Sequence, residues 1–120
     1  KGREVMEVFL RKHPDIDVVI SQNDDMTFGA IEAIRDSGRT VGIGGDITII
    51  SFDAVNTALK MVSRGDINVD IECNPNQGEY ISQVIEMLED GQEVESQYYV
   101  EEDVFTIENV TRELIEQRNY

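Results

Sequence analysis

The sequence predicts a layered α/β fold built on a mainly parallel sheet. Short β-branched runs of strand length alternate with segments of helical period, and the run at Ile47–Phe52 is apolar almost throughout, as in strands covered on both faces. Strands that communicate through helical crossovers pair in parallel and stack their helices in layers.

The elements follow in order. Residues 2–12 set Val5, Met6, Phe9 and Leu10 on one helical face. His13-Pro14-Asp15 stops that helix, since proline restricts the residue before it and cannot continue the ladder. Residues 17–22 (Asp17-Val18-Val19-Ile20-Ser21-Gln22) are the first strand. Asn23-Asp24-Asp25 then opens a helix bearing Phe28, Ile31 and Ile34, its acids suiting the positive dipole end, and Gly38 closes it. The glycine-rich link from Val41 to Asp46 reads as a flexible connection, because it leads into a strand and lacks the helix a phosphate cradle requires. Ile47–Phe52 is the second strand, with Asp53 just beyond it. A helix with Val55, Ala58, Leu59 and Val62 on one stripe runs to Gly65-Asp66, and Asn68–Glu72 is the third strand. Residues 77–90 form a helix striped by Ile81, Val84, Ile85 and Leu88, stopped by Gly91. An extended piece at Tyr98–Val100 and a short helix with Val110 and Leu114 complete the chain.

Bulk properties narrow the function. The 120 residues suffice for one domain, and the first residue, Lys1, already lies in helical sequence, so the chain reads as a fragment. A formal net charge of −15 repels phosphate backbones, which speaks against nucleic acid as a partner. The lone Cys73 cannot form an internal disulfide and has no basic neighbour in sequence to activate it. No G-x-S-x-G, C-x-x-C or H-E-x-x-H pattern is present, so neither an enzyme nor a cofactor is expected.

Open parallel sheets bind ligands beyond the carboxyl ends of their strands. The residues there are Gln22, Asn23 and Asp24 after the first strand, Asp53 after the second, and Glu72, Cys73 and Asn74 around the end of the third. Amides that donate and accept, beside carboxylates that accept from two hydroxyls, suit a neutral hydroxyl-rich ligand such as a sugar. Asn23 and Asp53 equally suit plain capping of a helix or turn.

Several segments, in matching order, resemble sugar-binding proteins of the ribose/galactose/galactofuranose type. They are His13-Pro14-Asp15-Ile16-Asp17, Gln22-Asn23-Asp24-Asp25-Met26 with Gly29-Ala30-Ile31, Ile50-Ser51-Phe52-Asp53-Ala54, Gly65 through Pro75, and Val104-Phe105-Thr106 with Glu108-Asn109-Val110. The resemblance implies the type I periplasmic-binding-protein fold, whose lobes are three-layer α/β sandwiches with a sugar held between them. On this reading residues 1–120 are an incomplete C-terminal lobe, and the 77–91 helix belongs with the absent N-terminal lobe. It further implies that Asn23 and Asp53 hydrogen-bond sugar hydroxyls, with Glu72, Cys73 or Asn74 replacing the usual glutamine at the third strand end. Residue 54 is alanine where the family usually has glycine.

The function so implied is solute binding for an ABC sugar importer. Its partners are a monosaccharide and the transporter permease, in the periplasm or outside the cell, with lipid anchoring to the surface as one arrangement. Two other functions share the fold: the effector domain of a lactose-repressor-type regulator, and the sugar-sensing lobe of a signalling receptor. The 81–88 stripe, deprived of its lobe, would expose four apolar side chains at roughly 1.5–3 kcal/mol each. Dimerisation or exchange of elements is the expected way to cover it.

Overall fold

The computed structural model describes residues 1–120. In chain order the elements are α1 (Gly2–Lys12), β1 (Val18–Ile20), α2 (Asp24–Asp36), β2 (Thr48–Asp53), α3 (Asn56–Ser63), β3 (Val69–Glu72), α4 (Gly78–Glu89), β4 (Val104–Phe105) and α5 (Arg112–Gln117). One sheet runs β1-β2-β3-β4, parallel over its first three strands and antiparallel at β4. The α/β class and mainly parallel sheet are as the sequence predicts.

Register explains the layering. Val19 faces Ile49, and Ser51 faces Asp70, so these side chains share one face of the sheet. The helices cover that face. Ile31 and Ile34 of α2, Val62 of α3, Met6 of α1 and Ile67 join Ile49 in one buried cluster. Both β-α-β crossovers advance in the same direction across the sheet, and their fixed hand puts α2 and α3 on the same side. Of the three layers, this chain supplies the sheet and one layer of helices. The other face carries Val18, Ile20, Ile50, Phe52, Val69 and Ile71, with Val18 and Ile20 exposed.

Two contacts tie helices down. A Cβ on Gly2 would lie 2.3 Å from the Met26 carbonyl oxygen, and one on Gly29 would lie 2.7 Å from the Arg3 nitrogen. Glycine at both positions therefore lets the α1 and α2 backbones touch. A second, smaller cluster of Ala54, Leu59 and Phe105 seats α5 through Leu114 and Ile115.

Two sequence expectations need correction. The 41–46 link is pinned rather than flexible. Val41 bridges Ile47, the Ile43 amide donates to the Gly65 carbonyl at 2.8 Å, and Thr40 and Asp46 bond one another. Gly42 has φ +83, and a Cβ there would overlap the Gly65 oxygen. The late extended piece is also misplaced: Tyr98–Val100 is irregular, and the strand lies at Val104–Phe105. Tyrosine-rich β propensity suggested the wrong segment, because what decides a two-residue edge strand is an available neighbour, here β3.

Helix α4 stands apart from the body. None of its residues is buried, and Ile81, Ile85 and Leu88 are half exposed. The molecule is accordingly elongated, 60 × 32 × 18 Å. No helix is long and apolar enough to cross a membrane.

Candidate functional site

The carboxyl ends of β1, β2 and β3 form one continuous edge. Asp53 pairs in register with Glu72, and the Cys73 amide continues the ladder to the Asp53 carbonyl at 3.4 Å. On the other side Ile20 pairs with Ile50 and the Ser21 amide donates to the Ile50 carbonyl, so Asn23, just past β1, and Asp53, the last residue of β2, each follow that pair by the same number of residues. Adjacent strands are about 4.8 Å apart, which brings the three strand ends within reach of a single small ligand.

Each predicted residue has a definite local setting. Asn23 caps α2: its Oδ1 accepts from the Met26 amide at 2.8 Å. That bond uses one face of the side chain and fixes where the amide nitrogen points. Asp53 has φ +112, and Ala54 has φ +58. Neither is glycine, so the turn is held in a conformation that other contacts must enforce. Cys73 is exposed, and the Asn74 Oδ1 accepts from the Asn76 amide at 2.9 Å in a local turn.

Glu72 is engaged within the fold. Its Oε1 accepts from Arg118 and from the Tyr120 hydroxyl, and its Oε2 accepts from the Asp103 amide at 3.0 Å. Arg118 also stacks over Phe105 and Tyr120, at 5.2 and 4.6 Å from the ring centres. Burial pushes the Glu72 carboxyl up, but the bonds from Tyr120, Arg118 and Asp103 outweigh it and the net shift is downward. The same burial and the bond to Glu72 push the Tyr120 phenol up to about 12. An open pocket of ≈ 430 Å³ brings Glu72 and Asn74 together with Arg118 and Tyr120, but includes neither Asn23 nor Asp53.

Beneath the edge lies a polar network of which the sequence named only Asp24. Asp24 and Asp70 are 1% and 0% exposed. The Ser51 hydroxyl donates to Asp24 Oδ1 at 2.5 Å, and the Val55 amide donates to Asp24 Oδ2 at 2.9 Å. The Ala54 amide donates to Asp70 Oδ1 at 3.3 Å. The Thr27 hydroxyl sits 2.7 Å from Ser51 Oγ and 3.0 Å from the Asn23 carbonyl. Burial is the largest cause raising both carboxyl pKa values, Asp70 to about 8; Asp24 and Asp53 push Asp70 further up, whereas Asp24 is raised by Asp53 and eased down by its bonds from Ser51, Val55 and Asp70. The sequence signal pointed the other way: alternation in Asn68-Val69-Asp70-Ile71-Glu72 assigns Val69 and Ile71 to the core, yet the structure buries Asp70 and Glu72 under the helices.

A sheet whose strand ends gather amides and carboxylates on one rim, over a well-packed body, is a lobe of a ligand-binding α/β protein. Residues 1–93 match the family described as periplasmic binding protein domain, and the chain belongs to it. Among curated relatives, the ribose import binding protein of Salmonella typhimurium is 31% identical over 102 residues, 84% of this chain and 33% of that protein. The galactofuranose-binding protein of Escherichia coli is 39% identical over 79 residues, 63% of this chain and 24% of that protein. Among solved structures, the periplasmic binding protein component of the arabinose ABC transporter from Shewanella sp. ANA-3, bound to α- and β-L-arabinofuranose, superposes with a TM-score of 0.82. It is 34% identical, covering 98% of this chain and 39% of that one. The chain thus spans about a third of the length of the curated relatives it matches. These relatives are binding proteins by name.

Proposed function

We propose that this chain is the larger part of the C-terminal lobe of a solute-binding protein that delivers a monosaccharide to an ABC importer. The observation that carries the reading is the shared rim: Asn23, just past β1, and Asp53, the last residue of β2, follow the same register pair by the same number of residues, in a chain about a third identical to sugar binders. Asn23, with its oxygen committed to the α2 cap, donates from its amide nitrogen to a sugar hydroxyl. Asp53 accepts from one or two hydroxyls. Cys73 and Asn74 border the ligand from the third strand end. Glu72, whose oxygens are already taken, braces that end rather than touching sugar.

No chemistry is required of such a protein. Sugar bridging two lobes favours the closed state by its differential affinity, and the permease recognises that state. The α4 stripe packs on the other lobe; in a solution of this chain alone it pairs with a second copy, and sedimentation of a dilute sample as a stable monomer would refute that pairing. The protein works outside the cytoplasmic membrane, in the periplasm or held at the cell surface by a lipid.

The test is a thermal-shift panel on the full-length protein with L-arabinose, D-galactose and D-ribose, which between them offer pyranose and furanose forms. A sugar at about 100 times its dissociation constant stabilises the native state by about 2.7 kcal/mol. One sugar should raise the melting temperature and Asp53→Ala should abolish the rise. A panel with no response removes the carbohydrate assignment.

A further inference from the structure

Two carboxyl groups meet in the dry interior directly behind the rim. Asp24 comes from the first turn of α2 and Asp70 from the middle of β3. Three of their four oxygens have a donor: Ser51 and Val55 serve Asp24, and Ala54 serves one oxygen of Asp70. The fourth, Asp70 Oδ2, is buried and receives none. A buried carboxylate oxygen without a donor is costly, and two ionised carboxylates side by side without a cation are more so. The charged neighbours that act most strongly on the pair are its own two members and Asp53 at the end of β2, all acidic. On the same strand face, Glu72 is also acidic, and the cation beside it, Arg118, is bound to Glu72 itself. With Asp53 the two carboxyls do not converge as a cation cage. One arrangement satisfies every atom: Asp70 Oδ2 carries a proton and donates it to Asp24, which stays ionised and accepts from Ser51 and Val55.

The pair clamps the turn that presents Asp53. Its two members take the amides of Ala54 and Val55, just after the positions where the backbone is held against its ordinary preference, φ +112 at Asp53 and +58 at Ala54. From the other end the network runs through Ser51 and Thr27 to the carbonyl of Asn23. We propose that Asp24 and Asp70 share one proton and act as positioning residues, holding the Asp53 turn and the Asn23 cap in register at the ends of neighbouring strands. The ligand role of those two residues rests on the function proposed above; the shared proton does not. Losing the proton sets two like charges against each other behind the turn, so the strained backbone loosens and the rim loses its shape.

The experiment is carbon-13 titration of aspartate carboxyls in the full-length protein, with the amide signals of Ala54 and Val55 followed in the same samples. One aspartate should stay protonated through neutral pH and titrate near the value of about 8 given by burial, and the two amides should move with it. Asp70→Asn should remove that titration and leave the amides near their neutral-pH positions, since an amide donates to Asp24 and accepts from Ala54 as the protonated acid does. Asp24→Asn should be far more damaging, because whichever way its amide turns, the new NH2 faces one of the donors Ser51 and Val55 and only the other is accepted. With L-arabinose or D-galactose as probe, affinity should weaken about tenfold from pH 7 to about pH 9, as the competent protonated fraction falls, and stay level in Asp70→Asn. Every aspartate titrating in the ordinary carboxylate range would overturn the shared proton. A titration near pH 8 that leaves both amides unmoved would overturn the positioning role. If neither sugar binds, the function proposed above fails, and the carboxyl and amide titrations still decide the pair.

Discussion

Asp70 and Glu72 are two residues apart on β3, point to the same covered face of the sheet, and meet burial in opposite ways. Glu72 stays ionised because the fold brings it a guanidinium, a phenol and a backbone amide. Asp70 meets only acids and amides, and is pushed up to about 8. The alternation of β3 puts both side chains into the interior with equal force, so the difference comes from what packs behind each one. Behind Glu72 is α5 and the residues following it; behind Asp70 is the start of α2. A buried acid is therefore a question about its neighbours, and on one short strand both answers occur.

The largest effect that sharpens this contrast is loss of the cation. Arg118→Ala leaves Glu72 buried without a counter-charge, and removing one partner of such a pair typically costs about 3–5 kcal/mol. Chemical denaturation should show that loss, with Phe105 and Tyr120 also deprived of the guanidinium stacked on them. A loss under about 1 kcal/mol would mean that Glu72 is wet enough to need no partner.

The pH dependence comes next, and its sign differs between the two acids. Asp70 has its folded pKa raised, so its stabilising contribution is complete below the ordinary carboxylate value of 3.8 and is lost as pH rises toward about 8. Glu72 has its folded pKa lowered, so its contribution is present above 4.5 and is lost as pH falls below that. Melting temperature should rise as a sample is taken from pH 8 toward the mildly acid range, then fall at lower pH. The net charge of −15 pushes the first limb in the same direction by self-repulsion. The comparison with Asp70→Asn isolates the pair: the variant should show a shallower first limb and an unchanged second one. Equal slopes would break the contrast.

The smallest effect is at Tyr120. Tyr120→Phe keeps the ring under Arg118 and removes one hydroxyl bond to Glu72, for a loss of about 1–2 kcal/mol in the same denaturation series. A loss matching Arg118→Ala would place the weight on the phenol instead.

The body of the fold was legible because its signals are local. β-Branched runs at 17–22, 47–52 and 68–72, and the stripes of α1, α2, α3 and α4, each gave an element within a residue or two of its observed bounds. The rim was legible for the same reason, since parallel strands leave their carboxyl ends together and Asn23, Asp53 and residues 72–74 follow from chain order alone. What failed was non-local. The 41–46 link looked loose because its partners, Gly65 and Ile47, act through backbone contacts that composition does not encode. The edge strand at Val104–Phe105 exists only because β3 offers an unpaired side.

By itself, then, the sequence determined the α/β class, the order of elements, and which polar residues gather at the carboxyl edge of the sheet, because periodicity and chain order are properties of the chain alone. Only the tertiary structure decided that Glu72 is held by Arg118 and Tyr120, that Asp24 and Asp70 meet behind Asp53, and that α4 stands off the body with only Tyr98 and Val100 beside its stripe. Ionisation, hydrogen-bond supply and the covering of an apolar stripe depend on residues tens of positions away, and the distances that control them come into being only when the chain folds.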